Sequence, residues 1–387
     1  MVELSRSQAL ALRLSSLLLA GDPCAVTGRR PVDVGAVVTW FGAMQGQDLN
    51  SVLWSLGARL PGFTVTDVLT ALERREAVRS WPMRGTLHLV PARDARWMVE
   101  HVGSRSLSGA ARRRASLGLT DQDASRAVDV LADALSGEGR LTRSQCVRAL
   151  ADAGIPIEGQ RAYHLLWYAS QLGVTCIAPN QGGEQTFVLL DEWVPDPHRL
   201  DQEEALSTLA QRYFASHGPT TRQDFAAWAG LTAVDAKRGI ASAGDALATV
   251  TVSGQDMVLE SASLQALRSE PVDRPDDDVL ALPGFDEYLL GFKDRSLMLD
   301  LEQASAICPG SNGVFRPTIV RSGRVVATWG RAVARGRTTV TVRPLVALSR
   351  ADLVRTEDAL TRFGAFTGSP LQDVVIDRGD TATPGSG

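Results

Sequence analysis

The alternation of apolar and polar positions is clearest in the middle of the chain. A capping box at Thr142 and Gln145, in which each side chain can satisfy a free backbone donor of the other residue, predicts the start of a helix. Tyr163, Leu166 and Ala169 then repeat at helical spacing. The pattern predicts two helices followed by two strands, over 143–153, 158–172, 174–178 and 186–190. This is the order of elements in a winged helix, a variant of the helix-turn-helix.

The same order is predicted on both sides of this unit. After it come helices and strands over 203–216, 221–229, 233–243, 248–252 and 256–260, with a capping box at Thr220 and Gln223. Before it come helices over 33–44, 49–60 and 65–75, and strands around 79–90. Thr64 and Asp67 also match a capping box, and we attribute this match to chance. The chain therefore contains three predicted winged-helix units.

The composition changes near residue 270. An acidic, proline-containing linker is predicted over 270–278, followed by β-rich runs over 313–320, 324–329 and 338–342, a helix at 349–363 and a disordered tail after Asp377. The predicted fold class is α+β, with tandem winged-helix units followed by a C-terminal β-barrel-like domain or curled sheet. The predicted domain borders are 1–120, 121–200, 201–270, 271–376 and 377–387.

Overall composition is that of an ordinary folded protein. The chain has 387 residues, 44% apolar and 22% charged, and no apolar run approaches the roughly 18 residues of a membrane span. Residues 10–20 are apolar but interrupted by Arg13, Ser15 and Ser16, which favours an amphipathic helix over a signal peptide. We expect a cytoplasmic protein. The four cysteines are far apart and no cofactor motif is present, so neither a metal site, a disulfide nor a cofactor is predicted.

Charge is unevenly distributed along the chain. The formal net charge is −4, yet residues 304–350 include eight arginines and no acidic residue, and residues 101–120 are also arginine-rich and free of acidic residues. Arginines beside turn glycines can approach phosphates, which indicates duplex DNA as a partner, although an arginine-rich genome also produces such surfaces. The predicted DNA-contacting residues are Arg84, His88, Arg112, Arg113, Arg316, Arg324, Arg331, Arg335 and Arg337. For His88, a structural role is the alternative.

Two glutamines flank a glycine at the predicted end of the helix over 33–44. Gln45 and Gln47 are unusual in a turn, because Asn, Asp and Ser serve turns better and a buried amide needs partners. A polar cap on the helix terminus is one explanation of the pair, and a chemical role is the other.

Several motifs together resemble the winged-helix DNA glycosylases of the AlkZ and YcaQ type. The first is Trp40-Phe-Gly-Ala-Met-Gln-Gly-Gln-Asp48. It is followed in the family's order by Trp54 and by the stretches 81–90, 282–295 and 312–320. The resemblance extends from about residue 30 to about residue 345 and is specific because the motifs occur in combination.

The resemblance implies both a fold and an activity. Members are built from tandem winged helices on a C-terminal β-barrel and release bulky alkylated bases, including crosslinked ones. AlkZ-like members protect antibiotic producers from their own DNA-alkylating product. The family's catalytic signature is Gln, an aliphatic residue, and then Gln in the AlkZ branch or Asp in the other branch. Its two polar positions fall on Gln45 and Gln47, which implies the AlkZ branch, and Gly46 departs from the aliphatic position. The implied partner is double-stranded DNA with alkyl-purine lesions. We expect a monomer associated with the nucleoid.

The chemistry of such lesions fits a pair of amides. Alkylation at N7 or N3 makes a purine cationic, so the base leaves as a neutral molecule and needs no general acid. A glutamine can orient a water and place its dipole beside the positive charge that develops on the sugar. Lys237 and Lys293 are the only lysines, and neither is near the glutamines in sequence. We therefore expect a monofunctional glycosylase without lyase activity.

Two other functions remain as alternatives. Winged helices also serve transcriptional regulators without catalysis, in which Gln45 and Gln47 would be capping or base-contacting amides. A glycosidase-like enzyme could use Asp286 and Glu287, but adjacent carboxylates on a strand point to opposite faces, which argues against a shared site.

Overall fold

The computed structural model describes residues 2–19, 31–269, 278–311, 313–334 and 337–377. Helices and strands are mixed along the chain, so the fold class is α+β as predicted. None of the helices in these ranges is long and apolar enough to span a membrane.

The helices of the described residues are numbered α1 to α17 in chain order. They span Arg6–Ser16 (α1), Val34–Phe41 (α2), Leu49–Gly57 (α3), Val65–Glu73 (α4), Ala95–His101 (α5), Ala110–Ser116 (α6), Asp121–Leu135 (α7), Arg143–Asp152 (α8), Arg161–Gln171 (α9), Leu190–Trp193 (α10), Gln202–His217 (α11), Arg222–Ala229 (α12), Ala233–Ala243 (α13), Ser261–Ser269 (α14), Glu287–Leu290 (α15), Ala304–Ile307 (α16) and Arg350–Thr367 (α17).

The strands are numbered β1 to β14 in the same way. They span Val2–Leu4 (β1), Met44–Gln45 (β2), Ala77–Met83 (β3), Thr86–Pro91 (β4), Leu141–Thr142 (β5), Thr175–Gln181 (β6), Glu184–Leu189 (β7), Leu247–Val252 (β8), Gln255–Glu260 (β9), Val279–Leu282 (β10), Thr318–Arg321 (β11), Arg324–Ala334 (β12), Arg337–Pro344 (β13) and Leu371–Ile376 (β14). The described strands form three sheets, with the orders β2-β4-β3-β6-β7-β5, β1-β8-β9 and β10-β11-β12-β13-β14.

The six-stranded sheet joins the hairpins of the first two predicted units. Strand β3 pairs antiparallel with β4 of its own hairpin and with β6 of the next one, where Arg79 lies opposite Ile177. The predicted border at residue 120 therefore separates elements that share one sheet. The division of the chain into domains stays a prediction.

Capping boxes begin many of the helices. The box at Thr142 and Gln145 is present, as predicted. The box predicted at Thr220 lies one residue later, on Thr221 and Asp224. The pair Thr64 and Asp67, which we attributed to chance, is a true capping box at the start of α4. In each case a side-chain oxygen satisfies a backbone donor that the first helical turn leaves free.

The helix predicted over 33–44 ends earlier than expected. α2 stops at Phe41 because Gly42 follows with a φ of 75°, a left-handed conformation that glycine adopts readily. The chain can then extend, and Met44 and Gln45 pair with β4 as strand β2. Gln45 is therefore on a sheet edge, whereas the sequence pattern had placed it at a helix end.

The N-terminal strand belongs to a sheet whose other two strands come much later in the sequence. β1 pairs in parallel with β8, with Val2 opposite Val250. The predicted helix at 10–20 is present as α1, but it is more buried than an amphipathic surface helix, since even Arg13 is 1% exposed. The Arg13 Nε donates to the Pro219 carbonyl at 2.8 Å. The N terminus thus connects to the third predicted unit.

The C-terminal strands form an open sheet. Among the described residues, β10 and β14 are its two edges and do not pair with each other, so no closed barrel is found. β13 and β14 are parallel, and the other neighbours are antiparallel. The helix predicted at 349–363 is present as the longer α17. The predicted linker, apart from Asp278, and the tail from residue 378 onward lie outside the described residues.

One hydrophobic core connects the first predicted unit to the C-terminal sheet. Trp54 of α3 packs against Phe363 and Phe366 of α17, with ring centroids 5.2 Å apart in both pairs. The Trp54 indole N–H also donates to the Ala281 carbonyl of β10 at 2.8 Å. The segment that carries the two glutamines, directly before α3, is therefore fixed against the C-terminal part of the chain.

Candidate active site

The two glutamines form a hydrogen-bonded pair at the edge of the six-stranded sheet. Gln45 is 8% exposed, whereas Gln47 lies on the surface. The Gln45 Nε2 donates to the Gln47 Oε1 at 2.8 Å. Gln45 Oε1 has no hydrogen-bond partner in the described part of the chain. The Gln47 amide is therefore exposed to solvent, and the hydrogen bond from the buried Gln45 side chain fixes its orientation.

Gly46 lets this segment approach strand β4 closely. Its N–H donates to the Leu87 carbonyl at 2.9 Å. A Cβ at this position would lie 3.0 Å from the His88 carbonyl carbon and from the Leu89 nitrogen, closer than side chains normally pack against backbone. An aliphatic residue here would require β4 to move by a few tenths of an ångström. The departure from the aliphatic position therefore has a steric reason in this chain.

A buried arginine supports the glutamine segment. Arg79 of β3 is 4% exposed, and its Nη2 donates to the Gly46 carbonyl at 3.0 Å. Burial lowers the pKa of the Arg79 guanidinium to about 10, and the charge of Asp48 opposes this shift. Asp48 itself caps α3 by accepting from the Ser51 N–H. Arg79 therefore holds the middle of the segment at Gly46, and Asp48 holds its C-terminal end.

His88 lies opposite Gln45 in the sheet and is fully buried. Its Nδ1 is 2.8 Å from the Thr86 carbonyl and must donate to it, which leaves Nε2 to accept from the Arg84 Nη2 at 3.1 Å. Burial, and next the charge of Arg84, lower the pKa of His88 to about 3. The expected DNA contact is not available to this buried ring. His88 instead supports the strand beside Gln45.

The neutral state of His88 predicts how stability depends on pH. Because its folded pKa lies below the ordinary value of about 6.5, the unfolded state takes up the proton first and stability is lost as the pH falls. Between about pH 6.5 and about pH 5 the free energy of unfolding should fall by about 2 kcal/mol more in the wild type than in His88→Gln. Urea denaturation at several pH values measures this difference. Parallel pH profiles of the two proteins would contradict it.

Glu287 is a buried carboxylate that contacts the glutamine segment directly. Its Oε1 accepts from the Gln45 backbone N–H at 2.8 Å, and its Oε2 accepts from the Trp228 indole N–H at 3.0 Å. His217 Nε2 is 3.4 Å from the same Oε2. Burial by itself would raise the pKa of Glu287, but the hydrogen bond and charge of His217 and the N–H groups of Gln45 and Trp228 lower it to about 2. Glu287 is thus an anion that ties β2 to α11 and α12.

Asp286, next to Glu287, has separate partners. It forms a buried ion pair with Arg59, with the Nη1 to Oδ2 distance at 2.8 Å and the Nη2 to Oδ1 distance at 2.9 Å. Asp286 is the N-cap of α15, so the two carboxylates do not lie on a strand as we had expected. They still point to different partners, which agrees with the argument against a shared glycosidase site.

The predicted DNA-contacting arginines differ in their exposure and in whether the side chain already has a partner within the protein. Arg112 and Arg113 lie exposed on α6, and Arg316 and Arg331 are exposed near and on the C-terminal sheet. The Arg331 guanidinium packs over the Phe363 ring at 5.2 Å. Arg84 lies at the turn of the β3–β4 hairpin with part of the residue exposed, but its guanidinium already donates to His88 and burial lowers its pKa, so it is not a free cation. Arg335 and the side chain of Arg337 lie outside the described residues.

The count of eight arginines overstates the free charge of residues 304–350. Arg321, Arg324 and Arg343 form ion pairs with Asp352, Asp300 and Asp377, which all lie outside this stretch. Arg324, a predicted DNA contact, is therefore already paired in this structure. Sequence reasoning missed these pairs because the acidic partners are distant in the chain.

The structure adds residues that the sequence did not single out. Arg79, Trp228 and His217 all contact the glutamine segment directly or through Glu287. The sequence contains a signal for Arg79, because an arginine within a largely apolar strand indicates a buried charge that needs a partner. Nothing in the sequence marked Trp228 or His217, because their roles depend on tertiary contacts. Within the described ranges, no group of three or more His, Cys, Asp or Glu residues could hold a metal ion.

Known proteins resemble this chain in both sequence and structure. A family model described as DNA glycosylase AlkZ-like matches residues 38–366. The interstrand DNA cross-link repair glycosylase of Streptomyces sahachiroi is 29% identical over 270 residues, which cover 65% of this chain and 70% of that protein. The solved structure of the Streptomyces sahachiroi DNA glycosylase AlkZ is 23% identical, with a TM-score of 0.78, and covers 97% of this chain and 100% of its own. This structural likeness shows the fold.

Proposed function

Because the chain belongs to the AlkZ-like DNA glycosylase family and is a DNA glycosylase, we propose that it hydrolyses the N-glycosidic bond of bulky N7- or N3-alkylated purines in duplex DNA. The observation that carries this proposal is the hydrogen-bonded pair of Gln45 and Gln47, with one amide exposed at the sheet edge. An uncharged pair suits a leaving group that is already cationic.

In this proposal the two amides act as one unit. Gln47 touches the damaged nucleotide, orients the attacking water with its carbonyl oxygen and places its dipole beside the sugar as positive charge develops there. Gln45 holds the Gln47 amide in position through its Nε2. No proton has to be donated to the base, because N7- or N3-alkylated purines leave as neutral molecules. Neither amide can act as a strong base near neutral pH, so the pair is matched to labile bonds.

We also propose how the protein holds DNA and which further lesions it repairs. The helices and hairpins of the three predicted units are winged helices that grip the duplex, and exposed arginines such as Arg112, Arg113 and Arg331 contact its phosphates. The likeness to a cross-link repair glycosylase supports interstrand crosslinks as further substrates. In a producer of a DNA-alkylating antibiotic the enzyme would confer self-resistance. It would act as a monomer at the nucleoid.

The proposal also specifies the product. A Schiff-base step would have to use Lys237, Lys293 or the N-terminal amine, and with so few amine nucleophiles the reaction ends at an intact abasic site. The test incubates the protein with duplexes that carry bulky N7-guanine adducts and detects the freed base by mass spectrometry. We expect base release, and strand cleavage only after alkali. Failure to release any alkylated purine would contradict the function, and cleavage before alkali with a borohydride-trapped adduct would contradict the monofunctional mechanism.

A further inference from the structure

A surface cavity opens beside the hairpin that supports the glutamines. It encloses about 300 Å³. Its lining includes Gly85, Ala110, Arg113, Tyr163, His164 and Trp167. The residues that line it come from the β3–β4 turn, from α6 and the segment before it, and from α9 and the residue before it, and the described lining contains no acidic residue. The cavity is separate from the glutamine pair and has no part in the mechanism described so far.

The cavity lies close to the glutamines along β4. The Gly46 N–H is bonded to the Leu87 carbonyl, and Gly85 at the cavity is two residues before Leu87. At about 3.3 Å per residue of strand, the separation along the chain is about 7 Å. This corresponds to about two steps along a nucleic-acid strand, where consecutive bases are about 3.4 Å apart. DNA that places a lesion at Gln47 and continues along β4 toward the β3–β4 turn would therefore reach the cavity.

The cavity presents aromatic rings and a free cation. Tyr163 is 46% exposed, although large aromatic side chains are normally buried. His164 and Trp167 line the same cavity, with ring centroids 5.4 Å apart. His164 Nε2 has no hydrogen-bond partner in the described part of the chain, and burial, with the charges of Arg114 and Arg113, lowers the pKa of this ring. Arg113 is exposed and forms no ion pair with another described residue.

We infer that this cavity is a second DNA subsite, in which Tyr163 stacks an unpaired base close to the damaged nucleotide and Arg113 contacts the adjoining phosphate. An exposed aromatic face beside a guanidinium is the combination that binds single-stranded nucleotides without sequence preference. A base held there would keep the duplex open around the lesion. The inference rests on the proposed function, because it assumes that the lesion sits at Gln47.

The test uses a duplex with a 7-methylguanine and a 5-iodouracil two or three nucleotides away, on either strand. Photocrosslinking followed by peptide mass spectrometry identifies the contacted residue, and fluorescence anisotropy gives the affinity. We expect a crosslink to Tyr163 and an affinity about tenfold weaker in Tyr163→Ala, with Tyr163→Phe close to the wild type. Arg113→Ala should reduce the slope of log affinity against log salt by about one, and Arg148→Ala on α8 should not.

The possible outcomes distinguish a failure of the subsite from a failure of the proposed function. Crosslinks confined to other residues, or equal affinities of Tyr163→Ala and Tyr163→Phe, would overturn the subsite. A Tyr163 effect found only with bulky planar adducts, and absent with 7-methylguanine, would also overturn it, since the occupant would then be the adduct. Absence of base release by the wild type would contradict the proposed function alone, because crosslinking and affinity need no turnover. Unchanged thermal midpoints establish that the variants are folded.

Discussion

Replacing Gln47 with alanine should slow base release from an N7-alkylguanine duplex by about 100-fold, the usual cost of losing one preorganised dipole in an active site. Gln45→Ala should slow it to a similar extent, because the Gln47 amide then loses the hydrogen bond that fixes its orientation. If the amides act as one unit, the double variant should be no slower than the slower single variant. Single-turnover release of the base, followed by mass spectrometry, measures all three rates.

Binding controls separate catalysis from recognition. The affinity of both single variants for the same duplex should stay within about threefold of the wild type, since neither glutamine carries charge. Gln211→Ala removes an exposed glutamine of α11 and should leave the rate unchanged. Gln47→Asp should retain part of the activity, because a carboxylate at this position can also orient water. Rates that multiply in the double variant would contradict a coupled pair.

Replacing Glu287 with alanine should destabilise the protein by about 3–5 kcal/mol, the cost of removing one partner from a buried charged network. The Trp228 indole, the Gln45 backbone N–H and the His217 ring would all lose their acceptor. Glu287→Gln should cost about 1–3 kcal/mol, because the amide keeps the shape but turns an N–H toward one of these donors. Urea denaturation at neutral pH measures both.

An exposed glutamate provides the control for these variants. Glu302 lies on the surface, and Glu302→Ala should change the free energy of unfolding by no more than about 0.5 kcal/mol. The Glu287 variants should also release the base more slowly at temperatures where they are folded, since β2 loses its anchor. A Glu287→Ala protein with the unfolding midpoint of the wild type would show that the carboxylate does not hold the segment.

Local sequence signals predicted much of the secondary structure. The capping side chains and the apolar spacing placed α8, α13 and the hairpins of the second and third units within a few residues. The early end of α2 was missed because the left-handed conformation of Gly42 outweighed the apolar pattern that continues to Met44. The pairing of β1 with β8 and of β3 with β6 was missed because it depends on contacts between distant segments.

The candidate site was predictable only in part. The resemblance identified Gln45 and Gln47, while their hydrogen bond and the difference in their exposure required coordinates. The sequence shows Glu287 only as a neighbour of Asp286 and so suggests a catalytic pair, whereas each carboxylate stabilises a different contact between segments. Sequence charge counts likewise could not show that Arg324 is paired with Asp300.

The central claim is that two uncharged amides, and no titrating acid or base, promote release of the base. The pH dependence of single-turnover release from an N7-alkylguanine duplex tests this most directly, expressed relative to spontaneous release at each pH. The buried groups that contact this segment have pKa values of about 3 for His88, about 2 for Glu287 and about 10 for Arg79, which all lie outside the range from about pH 6 to about pH 8.5. The relative rate should therefore stay constant within about twofold from about pH 6 to about pH 8.5. A profile that rises or falls with an apparent pKa inside this range would contradict the claim.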